Sequence, residues 1–194
     1  MSLARTLAAP LLACAAFAAQ AVEIEGHSIP ESLQLGGRAL VLNGAVVRRF
    51  AIFKVEVAAL YLAERQTTLE GVFSLAGPKR LRLVMLRDVS AEDLRKKFLS
   101  DLRSVSAPAE LAQLDREIAA LGEMFRAVTL REGDVITVDW LPGAGTIVAH
   151  NGRSVSPAPL PPELLYRLIL RIFVGPDAAR EPRERLLGLK PIAN

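Results

Sequence analysis

The chain predicts an α+β fold: an antiparallel sheet covered by helices on one face. Three observations carry that expectation. The elements run as strands, then helices, then hairpin strands, then helices again. Leu111, Leu114, Ile118, Leu121 and Phe125 recur at three- and four-residue steps, the clearest amphipathic helix in the chain. Asn151-Gly152 sits between two strand-like runs, the strongest short-range hairpin signal.

Each element follows from its own pattern. Val22 to Glu25 alternates apolar and charged residues, Gly26-His27 turns, and Ser28 to Leu35 leads into Gly36-Gly37, which together predict a small edge hairpin. Arg38 to Leu42 starts the next strand and enters the stretch that dominates the chain, Leu42 to Glu64 (LNGAVVRRFAIFKVEVAALYLAE). This stretch opens on an expected Asn43-Gly44 turn and sets Arg48 and Arg49 at the mouth of the most apolar strand-like run, Phe50 to Leu62. Only Lys54 and Glu56 interrupt that run, two charges on one face of a strand. The pattern fits the wall of a site for an amphiphile, and it equally fits a plain core strand.

Leu69 to Leu75 is a short apolar segment whose type the pattern leaves open, and Gly77-Pro78-Lys79 is a turn. Arg80 to Leu86 alternates Arg with Leu and reads as a strand. Ser90 to Asp93 has capping-box spacing, and Leu94, Phe98 and Leu102 then form one helical stripe, with Arg95, Lys96 and Lys97 expected on a solvated face. Ala107-Pro108 opens the helix that carries Leu111 to Phe125. Val135 to Trp140 alternates, with Ile136, Val138 and Trp140 on one side, and Pro142 to Gly145 turns the chain back into Thr146 to Ala149. After a proline-rich connector (Ser156 to Pro162), Glu163 to Val174 is an amphipathic helix stopped by Gly175-Pro176, and Arg180 to Leu189 is a last short helix.

The first 21 residues have a different character. Met1 to Arg5 is a short positive segment, Thr6 to Phe17 is apolar, and Ala19-Gln20-Ala21 is an A-x-A site. This predicts a bacterial-type signal peptide cleaved after Ala21, an exported (periplasmic or secreted) protein, and no transmembrane segment in the mature chain. The alternative is a lipoprotein anchored at Cys14, since Leu11 to Cys14 resembles a lipobox. Cys14 is the only cysteine, so the mature chain would have no disulfide, cysteine nucleophile or Cys-based metal site. About 170 residues suffice for one domain with a self-supporting core, expected over residues 22–194.

Composition narrows the function classes. Charged residues make up 23% and the net charge is +3, with bases and acids interspersed and few aromatics, a poor match to a nucleic-acid footprint. P-loop, G-x-G-x-x-G and G-x-S-x-G patterns are absent from the sequence. His27 and His150 are read as turn residues, and no metal or cofactor is expected. Oligomeric state is left open.

Ordered blocks along the chain resemble the chalcone isomerase superfamily, most closely its bacterial exported members. They are LNGAVVRRFAIFKVEVAALYLAE, GPKRLRLVMLRDVSAEDLRKKF, GDVITVDWLPGAGTIVAHNGRSV and LLYRLILRIFVG, which together cover most of the mature chain. The resemblance implies an open-faced β-sandwich, a large antiparallel sheet with a layer of helices. In the plant isomerases an arginine that steadies the substrate phenolate matches Arg48. A threonine falls at Lys54, a tyrosine near Leu94 and an asparagine near Asp101. Three of these four polar positions therefore differ, which argues against chalcone cyclisation. Non-catalytic members bind fatty acids through an arginine and a tyrosine, roles that Arg48 and Tyr61 could take, with Lys54 a second cation.

The expected ligand-binding set is thus Arg48, Lys54 and Tyr61, for a small hydrophobic or amphiphilic ligand. Strand parity separates Lys54 from Tyr61 unless a bulge intervenes near Ala58-Ala59. The alternative reading pairs Arg48 with a local acid and makes Tyr61 a core aromatic. Two other functions stay open. One is an isomerase or intramolecular lyase, which needs a titratable group such as Lys54 in the same cleft. The other is a partner-binding structural protein.

Overall fold

A computed structural model describes residues 20–126 and 128–192. The expected leader lies outside the described residues except for Gln20 and Ala21, and Cys14 lies outside them too. The first two strands, β1 (Ala21–Ile24) and β2 (His27–Pro30), form a hairpin of their own. Its turn is Glu25-Gly26, with φ of 52° and 75°. The main body is a curled seven-stranded antiparallel sheet in sequence order. Its strands are β3 (Ser32–Leu35), β4 (Arg38–Phe50), β5 (Phe53–Leu62), β6 (Lys79–Met85), β7 (Val135–Leu141), β8 (Gly145–His150) and β9 (Arg153–Ser154). The expected edge hairpin therefore divides: β1 and β2 separate, and β3 joins the main sheet.

Helices are inserted at three places. The first, α1 (Leu69–Ser74), precedes β6. Between β6 and β7 lie α2 (Ala91–Ser104), α3 (Pro108–Gln113) and α4 (Asp115–Arg126). After β9 come α5 (Glu163–Val174) and α6 (Arg180–Leu186). Ser90 caps α2: its hydroxyl accepts from the Asp93 backbone N–H at 3.1 Å and donates to the Asp93 carboxylate at 2.7 Å. The single helix expected from Ala107 to Phe125 breaks at Leu114, whose N–H bonds back to Leu111. The break turns Leu114 into the core, where it is 1% exposed.

The sheet buries apolar residues on both faces. Ala58, Leu60 and Leu62 of β5 join Leu81, Ile136, Val138 and Trp140 against the helices. Val57, Ala59 and Tyr61 face the other way, toward Leu40, Leu42 and the β1–β2 residues Ile24 and Ile29. The helical layer covers one face as expected, and the small hairpin closes part of the second.

Two one-residue irregularities decide which way the charges of the central stretch point. Asn43-Gly44 is not a turn but a bulge inside β4, with Leu42 opposite Tyr61 and Gly44 opposite Leu60. Before it, Leu40 and Leu42 face the β1–β2 side; after it, Val46 faces the helices. A regular strand would hold all even-numbered residues on one face, so the bulge is what turns Arg48 toward the helices. The apolar run Phe50 to Leu62 is likewise not one strand. Ala51-Ile52 turns the chain, with Ala51 at φ 51°, and β5 begins at Phe53.

Candidate functional site

The second bulge builds the site. Arg48 lies opposite Glu56, yet its neighbour Arg49 lies opposite Lys54, so Val55 is the extra residue on β5. Val55 and Glu56 both reach the helical side, while Lys54 points away. The expectation that Lys54 and Glu56 share a face therefore fails, and the bulge sits at Val55 rather than near Ala58-Ala59. Lys54 joins Tyr61 on the β1–β2 side and parts from Arg48.

Arg48 donates to the Glu56 carboxylate at 2.9 Å, and its guanidinium lies 4.2 Å over the Phe173 ring of α5. Such stacking suits a planar guanidinium, which has more N–H donors than the one that Glu56 takes. Glu56 is 13% exposed. Burial pushes its carboxyl above the ordinary 4.5, opposed by the charges of Arg48 and Lys97 and reinforced by Asp101. Lys97 in turn donates to Asp101 at 2.6 Å along α2.

These four charged groups and Arg49 line a hollow of about 160 Å³ between the β4–β5 hairpin, α2 and α5. Its other walls are apolar, including Leu83, Leu94, Phe98, Ile172 and Phe173. Phe98 is braced edge-on by Phe125, ring centroids 5.0 Å apart. A second hollow of about 520 Å³ adjoins it, sharing Phe50, Val55, Glu56, Leu94 and Lys97 and extending past Met85 and Val89. Ligand sites commonly span about 300–1,000 Å³, and the joined hollows fall in that range, with charged side chains such as Arg87, Asp88, Asp93 and Lys96 among the lining of the second.

Of the expected trio, only Arg48 lines this cleft. Lys54 is half-exposed and donates to both carboxylate oxygens of Glu25, at 2.6 and 2.7 Å. Tyr61 is fully buried on the opposite face, and its hydroxyl donates to the Pro30 carbonyl at 2.9 Å. Burial pushes its phenol up to about 12. Leu94 and Asp101, the positions matched to the plant isomerases' tyrosine and asparagine, do line the cleft with Arg48. Glu56, Lys97 and Phe173 complete it and lie outside the expected set. Glu56 had a signal in its charge amid an apolar strand. Lys97 had one in its place three residues after Leu94, on the same helical side. Among the described residues no cluster of His, Cys, Asp or Glu could hold a metal ion.

Comparison with known proteins agrees with this architecture. No curated protein matches the chain. Among solved structures, a fatty-acid binding protein from Arabidopsis thaliana superposes with a TM-score of 0.65 at 17% identity, covering 87% of this chain and 96% of that one. At that identity the likeness is one of fold. A family model described as chalcone isomerase-like matches residues 21–188, and with that match across nearly all of its described length the chain belongs to the chalcone isomerase-like family.

Proposed function

We propose that this chain is a non-catalytic binding protein for a carboxylate-bearing amphiphile, a fatty acid being the simplest candidate. One observation carries the reading: Arg48 projects from the sheet into a cleft that also presents Leu83, Leu94, Phe98 and Ile172, stacked on Phe173, where a bidentate guanidinium suits a carboxylate head. The adjoining hollow past Met85 and Val89 offers room for the tail. The fatty-acid binding role of the Arabidopsis structure supports the same class of ligand. Met1 to Ala21 supports export to the periplasm, with a lipid anchor at Cys14 as the alternative route.

Native mass spectrometry of the protein purified from the periplasm, beside an Arg48→Ala variant, tests this. A co-purifying lipid-sized mass that is lost in the variant supports the reading. An apo mass in both, with no shift when fatty acids are added, overturns it.

A second reading, an intramolecular lyase or isomerase, is favoured by Glu56, a buried carboxyl with a raised pKa facing the cleft. It requires that Glu56→Gln accumulate a bound compound of the same mass but different chromatographic retention from that on the unmodified protein. Identical ligands on both proteins would remove it.

A further inference from the structure

The β4–β5 turn carries an apolar surface that the cleft does not use. Among the described residues the large apolar side chains left exposed are Phe50 (63%), Ile52 (81%), Phe53 (53%) and Leu189 (56%). Three of the four stand together on this one hairpin tip. The segment Arg48 to Lys54 (RRFAIFK) holds three cations and no acid. Two further cations lean over the exposed rings: the Arg87 guanidinium 4.8 Å from the Phe53 centroid, and the Lys97 ammonium 5.7 Å from that of Phe50. Three of these cations are already paired, Arg48 with Glu56, Lys54 with Glu25 and Lys97 with Asp101, while Asp88 pairs with Arg131. Arg49 and Arg87 have no carboxylate partner among the described residues.

We propose that the Phe50-Ile52-Phe53 tip is a docking element for an anionic phospholipid surface. The combination is the one such a surface recognises: a few large apolar side chains that enter the acyl boundary, ringed by Arg and Lys whose long stems let the charge stay at the headgroups. A convex tip of three side chains is far too small for a specific protein interface, which needs about 1,000 Å² or more. The tip is also continuous with the cleft, because Phe50 lines both hollows. Docking would set the cleft mouth at the lipid boundary, where an amphiphile could pass without crossing water. That consequence rests on the proposed binding role; the docking itself does not.

The test uses phosphatidylcholine vesicles with and without phosphatidylglycerol. An Ile52→Trp variant reports insertion directly, since the native Trp140 is buried. Its fluorescence should blue-shift and be quenched by brominated acyl chains in anionic vesicles, and be unaffected by neutral ones. The double variant Ile52→Ser, Phe53→Ser should weaken binding to anionic vesicles by about tenfold or more while its circular dichroism is unchanged. An unquenched signal from the Ile52→Trp variant overturns the proposal. So does unchanged vesicle binding by the double variant, or a tip-dependent dimer that ignores vesicles. Vesicle binding that fails while a cleft ligand is still detected by native mass spectrometry removes the docking element alone. Docking without any cleft ligand removes the binding role alone.

Discussion

Arg48 and Glu56 face each other across the β4–β5 ladder, their charged groups 2.9 Å apart in the cleft beneath α2 and α5. The pair makes the site sensitive to protonation. The Glu56 carboxyl is raised above 4.5 in the folded protein by burial. The folded state therefore holds this proton more tightly than the unfolded chain does. Its contribution to stability is fully present below pH 4.5 and is lost as pH rises through the folded pKa. Glu56→Gln should flatten that part of the stability profile in urea titrations. It should also tighten binding of a carboxylate ligand by roughly tenfold near neutrality, because Arg48 is no longer shared with an anion. Calorimetric titration against pH checks both; equal affinity in the two proteins would dissociate Glu56 from the ligand.

Tyr61 and Lys54 lie on the far side of the sheet from this cleft, and their variants should separate stability from binding. Tyr61→Phe removes the bond to Pro30 and should lower stability by about 1 kcal/mol. Lys54→Ala breaks a half-exposed pair with Glu25 and should change stability by less than about 0.5 kcal/mol. Neither should alter ligand retention in native mass spectrometry, whereas Arg48→Ala should abolish it. A Tyr61→Phe protein that loses its ligand would place the site on the wrong face.

How far the site can be read from the sequence turns on bulges. Alternation locates the faces of Arg80 to Leu86 and of Ile136, Val138 and Trp140, because those strands are regular. The stripe Leu94, Phe98, Leu102 likewise emerges from a regular helix. A bulge has no such signature, since one extra residue leaves composition unchanged and reverses every face beyond it. Asn43-Gly44 looks like a hairpin turn, and nothing in Phe53 to Val57 marks Val55 as extra. Arg48 is singled out by resemblance to a family, while its partners Glu56, Lys97 and Phe173 depend on contacts between distant segments. Lys97 in particular sits in a basic run that reads as solvent-facing.

Asp134 contributes to the acid side of the pH profile, as does Glu184. The Asp134 carboxylate accepts from the Asn151 side chain at 2.7 Å and the Arg131 backbone N–H at 2.8 Å, and lies 2.9 Å from His150. The Asn151 bond leads in holding it down at about 2, against an ordinary 3.8. The depressed pKa contributes stability that is present above pH 3.8 and is lost as pH falls toward 2. Asp134→Asn should lose that acid-limb slope and loosen the Asn151-Gly152 turn, where both residues have positive φ. Circular dichroism melts across that acid range would show it; an unchanged slope would mean the unfolded chain keeps these contacts.

The orientation of Arg48 depends in the end on Asn43, an uncharged side chain only 4% exposed. Its amide donates to the carbonyls of Gln66 at 3.0 Å and Leu186 at 2.7 Å, and its side-chain oxygen accepts from the Gln66 N–H at 2.7 Å. These bonds hold the β4 bulge, the segment after β5 and the end of α6 together. Asn43→Ala leaves buried backbone groups unpaired and should lower stability by about 2–3 kcal/mol. Gly44 beside it admits no side chain, since a Cβ there would collide with the Arg185 carbonyl oxygen, and that neighbour is backbone. Gly44→Ala should therefore displace α6 at a similar cost, about 3 kcal/mol. Both variants act on the device that turns Arg48 inward, so each should weaken ligand retention although neither residue touches the cleft. Urea denaturation paired with native mass spectrometry separates the effects. A variant destabilised as expected but holding its ligand as tightly as the unmodified protein would show that the direction of Arg48 is set by Glu56 and Phe173, not by the bulge.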